Sequence, residues 1–304
     1  MAPTPGKALG IVAGGGELPL AIAESVRGGG RDVFVLALKG AADEWVKDWP
    51  HEWIALGEVG KGLRALAAHD CGEVLLAGKL ARPKFSDIKL DAKAVFIAPR
   101  VIAASFKGDD ALLRSVVDIF EREGIRVIST PEAAPDLLAP AGRMGRVAPS
   151  AENQDDIVTA FQIVRALGAL DIGQAAVVCD GLALAVEAAE GTDAMIARVA
   201  SLPGHLRGTA AKRRGVLVKA PKPTQDRRTD LPVIGVQTVR EVAAVGLAGI
   251  AVEAGAALIL GKSAVIAEAD RLGLFLVGVL PPHASTVGSD SVPTSLRDWI
   301  IPSP

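Results

Sequence analysis

Hydrophobic and polar positions alternate along this chain in blocks that change period. Residues 9–13 (LGIVA) form a short apolar run, 14–19 a glycine-rich loop and 20–26 the start of a helical pattern, before 32–38 reads as a second strand. That is a βαβ opening. Residues 53–56, a helix with Val59, Leu63 and Leu66 on one face, a strand over 73–77, a helix over 109–123 and a strand over 125–128 continue the alternation. A parallel sheet with helices on both faces follows, so the expected fold class is α/β with an N-terminal Rossmann-like domain. The stretch 139–149 is rich in Pro, Gly and Arg and lacks periodicity, which marks a linker.

Beyond it the pattern resumes in a different style. Ser150 is placed to cap a helix carrying Ile157, Phe161, Val164 and Leu167 at helical spacing. Residues 175–179, the Asp180-Gly181 turn and 182–186 give a hairpin signal. Thr192, read as an N-cap with Asp193 beside it, opens a helix to residue 200, and 215–220 is a strand. A helix from Thr238, the region 250–260 and a strand over 274–280 complete a mixed α/β unit. The expected boundaries are 8–140 for the Rossmann-like domain, 146–283 for a catalytic α/β domain and 284–304 for a frayed or foreign tail.

Composition narrows the classes. Half of the 304 residues are hydrophobic and mean hydropathy is +0.34. Even so, the longest apolar stretch, 245–260, is interrupted by Glu253 and several glycines, short of the ~20 residues a bilayer requires. No charged start followed by an apolar run marks a signal peptide, so the expected location is cytoplasmic. Cys71 and Cys179 stand apart and read as buried small hydrophobes. The absence of Tyr and the scarcity of Phe argue against nucleic-acid stacking platforms. Trp45, Trp49 and Trp53 recur every fourth residue and read as core rather than as a membrane anchor. So apolar a chain also suits a homodimer.

Candidate chemistry concentrates in a few segments. Gly14, Gly15 and Gly16 after the first strand invite a phosphate contact, because glycines let backbone N–H groups approach an anion. Pro19 in the sixth position of the dinucleotide fingerprint, and Lys39 where a ribose-binding acid is expected, weaken a nicotinamide reading. Lys79 directly follows a strand, where ligands of open α/β sheets bind. Glu187, Glu190 and Asp193 gather three acids around a helix start marked by Thr192. Between Lys212 and Asp230, seven cations stand against two acids, a local +5 in a chain of net charge −2. There Pro221 and Pro223 hold Lys222 extended; further extension points Asp226, Arg228 and Asp230 to one side and Gln225 to the other. Carboxylates flanking a guanidinium suit Mg²⁺ with a phosphate group, and Lys219 and Lys222 suit a diphosphate.

Residues 13–19 (AGGGELP), 171–174 (DIGQ), 185–196 (AVEAAEGTDAMI) and 219–232 (KAPKPTQDRRTDLP) together closely resemble the UDP-2,3-diacylglucosamine pyrophosphatases of the lipid A pathway. The resemblance is to the alphaproteobacterial form, unrelated to the calcineurin-like enzyme of that activity, and spans roughly residues 8–281. It implies an Mg²⁺-dependent hydrolase that yields lipid X and UMP, peripheral to the cytoplasmic face of the inner membrane, with Asp226, Asp230, Glu190 and Asp193 catalytic. Asp226 and Asp193 would hold the metal. Gly14, Gly15, Gly16, Lys79, Gln174, Glu187, Thr192, Lys219, Lys222, Gln225 and Arg228 would bind the UDP-linked diacylated glucosamine lipid. A nicotinamide oxidoreductase and a non-catalytic glycolipid binder are the competing readings.

Overall fold

The computed structural model describes residues 7–80, 88–106, 109–223 and 231–281. They fall into two compact units that divide between Asp136 and Leu137.

The first unit is built on β1 (Ala8–Ala13), α1 (Leu18–Gly28), β2 (Asp32–Leu38), β3 (His51–Ile54), α2 (Val59–Ala68), β4 (Glu73–Ala77), α3 (Ala92–Ser105), α4 (Asp109–Arg122) and β5 (Arg126–Val127). Its five strands are all parallel, in the order β3-β2-β1-β4-β5. This is the Rossmann-like order, and the near-continuous burial of β1 and β2 reflects helices on both faces of the sheet. Sequence periodicity gave no sign of α3, because the helix is apolar around most of its circumference. The strand expected over 53–56 lies two residues earlier, at β3. None of the three spaced tryptophans is exposed: Trp49 is buried, edge-on to Trp45, with the Arg27 guanidinium 3.7 Å from its ring centroid.

A short α5 (Thr130–Ala133) closes the first unit, and the second contains β6 (Gly142–Arg143), α6 (Ala151–Ala169), β7 (Ala175–Cys179), β8 (Leu182–Val186), α7 (Gly191–Ala200), β9 (Val216–Lys219), β10 (Val233–Ile234), α8 (Val236–Ala244), β11 (Gly249–Glu253), β12 (Leu258–Ile259), α9 (Lys262–Leu272) and β13 (Phe275–Val279). Six strands form a mixed sheet, β6-β13-β11-β9-β7-β8, and β10 pairs with β12. On one face α6 lays Ile157, Phe161 and Val164 against Val178, Val216, Val218 and Val277. On the other, Met195 and Val199 of α7, Val239 and Val242 of α8 and Val265 of α9 cover Val177, Leu217, Ile250 and Leu276. The stretch expected to be a plain linker supplies an edge strand: two residues of β6 pair antiparallel with β13, too few to register as a pattern.

Ser150 caps α6 through a capping box with Asn153. One turn on, Asp156 is buried and accepts hydrogen bonds from the Asp180 and Gly181 amides at the tip of the β7–β8 hairpin, where both residues take positive φ. Burial pushes its carboxyl upward from the usual range. Cys71 and Cys179 are free and buried, and desolvation raises both thiols to about 11.

Candidate functional site

Register fixes which residues share the carboxyl edge of the second sheet. β9, β11 and β13 run parallel and end there, at Lys219, Glu253 and Val279, while the antiparallel β7 begins there, Ala175 opposite Lys219. β8 ends at the same edge, with Val186 opposite Ala176. In open α/β sheets this is the edge that binds ligands. Three buried charged residues also lie at this edge: Glu187, Lys219 and Glu253 are 7%, 6% and 2% exposed.

Glu187 extends the β7–β8 ladder by one step, its amide donating to the Ala175 carbonyl at 2.9 Å. Its carboxylate accepts from the Gln174 amide at 3.0 Å and from the Thr192 hydroxyl at 2.7 Å. Gly173 makes this possible, since a Cβ there would stand 2.2 Å from the Glu187 carbonyl oxygen. Three residues singled out from separate motifs therefore converge, but Thr192 does not cap α7 as the sequence suggested. The cap position is Glu190, and the Thr192 hydroxyl turns to Glu187 instead. Glu190 pairs with Arg198 at 2.8 Å, and Arg198 also donates to the Val186 carbonyl. Asp193 is exposed on the first turn of α7, where the helix dipole favours an acid. The Gln174 carbonyl oxygen receives the Ala220 amide, while its side-chain Oε1 is buried with no hydrogen-bond partner, an acceptor that burial makes costly to leave unmet.

The cations of this edge are engaged inside the protein. The Lys219 ammonium donates to the Val233 carbonyl at 3.0 Å and that of Lys222 to Asp171 at 2.6 Å. Pro223 and Lys222 rest on α6 at Gly168, where a Cβ would come within 2.9 Å of the proline ring. Asp226, Asp230, Gln225 and Arg228 lie outside the described residues. The residues on either side of their segment are both at this edge: Pro223 on Gly168, and Leu231 two positions before the carbonyl that holds Lys219. Sequence reasoning passed over a further pair, Arg165 of α6 and Glu253 of β11. They form a salt bridge, Glu253 almost wholly buried, and Arg165 also reaches the Pro221 carbonyl at 3.4 Å. The only signal was an acid closing an otherwise apolar strand; its partner is 88 positions away. Among the described residues no three His, Cys, Asp or Glu side chains gather in a metal-binding group.

The glycine loop sits in the first unit between the carboxyl ends of β1 and β4, the point where strand order reverses. Its three glycine amides are occupied within the protein. Gly14 donates to the Ala77 carbonyl, Gly15 to that of Lys79, and Gly16 to the Asp43 carboxylate, each at 2.8 Å. The Lys79 amide returns a hydrogen bond to Gly15, so the two loops form a β-bridge. Their glycines answer to this close approach: a Cβ on Gly14 would meet the Lys79 carbonyl at 2.6 Å, and Gly78 has φ +98°. The Lys79 side chain is exposed.

Comparison with known proteins matches residues 8–137 to the LpxI N-terminal domain and 140–277 to the LpxI C-terminal domain. A curated protein of Caulobacter vibrioides, the UDP-2,3-diacylglucosamine pyrophosphatase LpxI, is 49% identical over 273 residues, which cover 90% of this chain and 98% of that protein.

Proposed function

The chain belongs to the LpxI family, and on that premise we propose that it hydrolyses the diphosphate of UDP-2,3-diacylglucosamine during lipid A synthesis, releasing 2,3-diacylglucosamine 1-phosphate (lipid X) and UMP. The observation that carries the reading is identity of 49% extending over both domains to a pyrophosphatase of that name. The second unit's sheet edge supports it, because a phosphoanhydride demands acids and cations held in fixed places.

In this reading the substrate's diphosphate lies along the edge between Glu187 and Lys222, and water attacks the α-phosphorus on the uridine side. Glu187, held by the Gln174 amide and the Thr192 hydroxyl, has lone pairs to spare for a substrate hydroxyl or for that water. The unmet Gln174 Oε1 is a second acceptor of the same kind. Lys222 exchanges Asp171 for a phosphate oxygen, and Lys219, held by the Val233 carbonyl, adds positive charge beside the diphosphate. Arg228 and Gln225 contact the diphosphate, with Asp226 and Asp230 the acids nearest the reacting phosphorus. In the first unit Lys79, with its exposed ammonium, is the candidate for ligand contact, and Gly14, Gly15 and Gly16 keep the backbone beside it free of side chains.

Mg²⁺ is part of the proposal on the chemistry of the donors. The acids at this edge offer hard oxygen throughout; Glu187 and Glu190 already hold protein partners, which leaves Asp193 among the described acids, joined by Asp226. When bound, the ion would offset charge on the phosphoryl oxygens and acidify its water. We further propose a cytoplasmic enzyme in peripheral contact with the inner membrane, and a homodimer in keeping with the apolar composition. No helix among the described residues is long and apolar enough to cross a membrane.

The test is UMP release from the UDP-linked lipid with and without EDTA, in the wild type and in Asp226→Ala. Metal-dependent turnover that the variant loses by at least about a hundredfold is expected. Lipid copurification without hydrolysis under any divalent cation would instead make the protein a glycolipid binder.

A further inference from the structure

Eleven large hydrophobic side chains are exposed among the described residues, and six of them, Leu80, Leu90, Val95, Phe96, Ile102 and Phe106, fall within 27 consecutive positions. Four belong to α3 or its C-cap. Phe96 and Phe106 are 85% and 86% exposed, values that a folded protein rarely leaves to a phenylalanine. Positions 95, 99, 102 and 106 are spaced as one helical stripe, and Phe96 and Ala103 widen it.

The opposite face of α3, through Ala94, Ile97, Ala98, Val101 and Ala104, is the one turned from solvent, and α3 packs chiefly on α4. A helix apolar all round is expected to be covered all round. This one is covered on a single side. Nor is the bare side a frayed accident, because α3 is pinned at its start. The Asp91 amide donates to the Gly57 carbonyl at 2.9 Å, and its carboxylate accepts from Gly60 at 2.7 Å, Lys61 at 3.3 Å and Ala94 at 2.8 Å. One carboxylate thus ties together the first turns of α2 and α3. Lys93 adds an ion pair to Glu123 at 2.6 Å.

Charge says what covers the stripe. Lys89, just before the helix, and Arg100 within it are exposed, and Asp91 is turned inward to the helix ends. Across the sequence from Lys79 to Lys107, seven cations face two acids in a chain of net charge −2. A second copy of this chain would bring the same positive charge to the contact. An anionic lipid surface brings the opposite charge and an apolar interior for the stripe.

We propose that α3 is a membrane-docking helix that lies in the interface of an anionic leaflet, Phe96 and Phe106 inserted and Lys89 and Arg100 at the headgroups. The inference deepens the peripheral contact proposed above and rests on that reading. It assigns the contact to a surface of the first unit, none of whose three spaced tryptophans is exposed.

The experiment sediments the whole protein with vesicles of phosphatidylethanolamine and phosphatidylglycerol, or of phosphatidylcholine alone. The wild type is expected to bind the anionic vesicles and to lose binding as salt rises. Phe96→Asp combined with Phe106→Asp weakens binding by about tenfold or more, with an unchanged circular dichroism spectrum and unchanged UMP release from detergent-dispersed substrate. Arg100→Glu weakens binding most at low salt. Equal vesicle binding by the double variant overturns the proposal. So does a raised KM for dispersed substrate with vesicle binding intact, which makes the stripe an acyl-chain subsite, and so does a wild-type dimer that the double variant dissociates while lipid binding persists. Vesicle binding without UMP release upholds the docking helix and sinks the activity.

Discussion

At the carboxyl edge of the first sheet the chain closes on itself through backbone, Gly15 and Lys79 exchanging amide hydrogen bonds across the point where strand order reverses. The same edge of the second sheet is left to side chains. There Glu187, Lys219 and Glu253 are buried with specific partners, an arrangement that is expensive unless every charge is met. The difference teaches where each sheet spends its precision: glycine fit and strand register in one, placed acids and cations in the other. The carboxyl edge of a parallel sheet and that of a mixed one can be put to different uses.

The contrast breaks most readily at Arg165. Replacing it by Met leaves Glu253 buried without its guanidinium, and a loss of about 3–5 kcal/mol in denaturant unfolding is expected, largely recovered when Glu253→Gln is added. A loss below about 1 kcal/mol would mean that this edge tolerates stray charge. Next in size is Gly15→Ala, whose Cβ would stand 2.7 Å from the Ala41 carbonyl oxygen, for about 2 kcal/mol. If the first edge serves architecture, the folded variant keeps its KM; a raised KM at undiminished stability would give that edge a ligand. Thr192→Val removes one donor from Glu187 and is expected to lower stability by about 1 kcal/mol, with a larger proportional fall in kcat.

How much of this was legible depended on length and separation. The βαβ order of the first unit, the capped start of α6 and the Asp180-Gly181 hairpin all announced themselves through local pattern. α3 stayed hidden because apolar residues on both of its sides leave no clean polar face to set against a buried one, and β6 because two residues carry no period. Glu187, Gln174 and Thr192 were each visible, but their meeting was not, since it depends on Gly173 letting two backbones touch. Arg165 and Glu253 needed the fold itself to bring them together.

The smallest effect concerns two carboxylates that each sit between two arginines. Glu73 in the first unit is buried; despite that burial, hydrogen bonds from Arg126 and Arg31 hold its carboxyl below the usual range. Glu268 in the second unit, bonded by Arg271 and Arg240, is lowered to about 2. Both folded-state values lie below the unfolded one, so each contributes stability above about pH 4.5 that is lost as acid protonates the folded form, for Glu268 down to about pH 2. Acid unfolding of Glu268→Gln should show a shallower slope across that window, and the difference should shrink in high salt.

The grip of Asp156 on the hairpin tip bears on the order of assembly. α6, β7 and β8 are consecutive, and the carboxylate that fastens them is 24 and 25 positions from the amides it binds. Such a segment closes few and short loops, whereas β6 must wait for β13 at the far end of the same unit. The expected consequence is a cooperative piece comprising the helix and hairpin, whose amides resist solvent exchange longest, around which the remaining parallel strands are laid down.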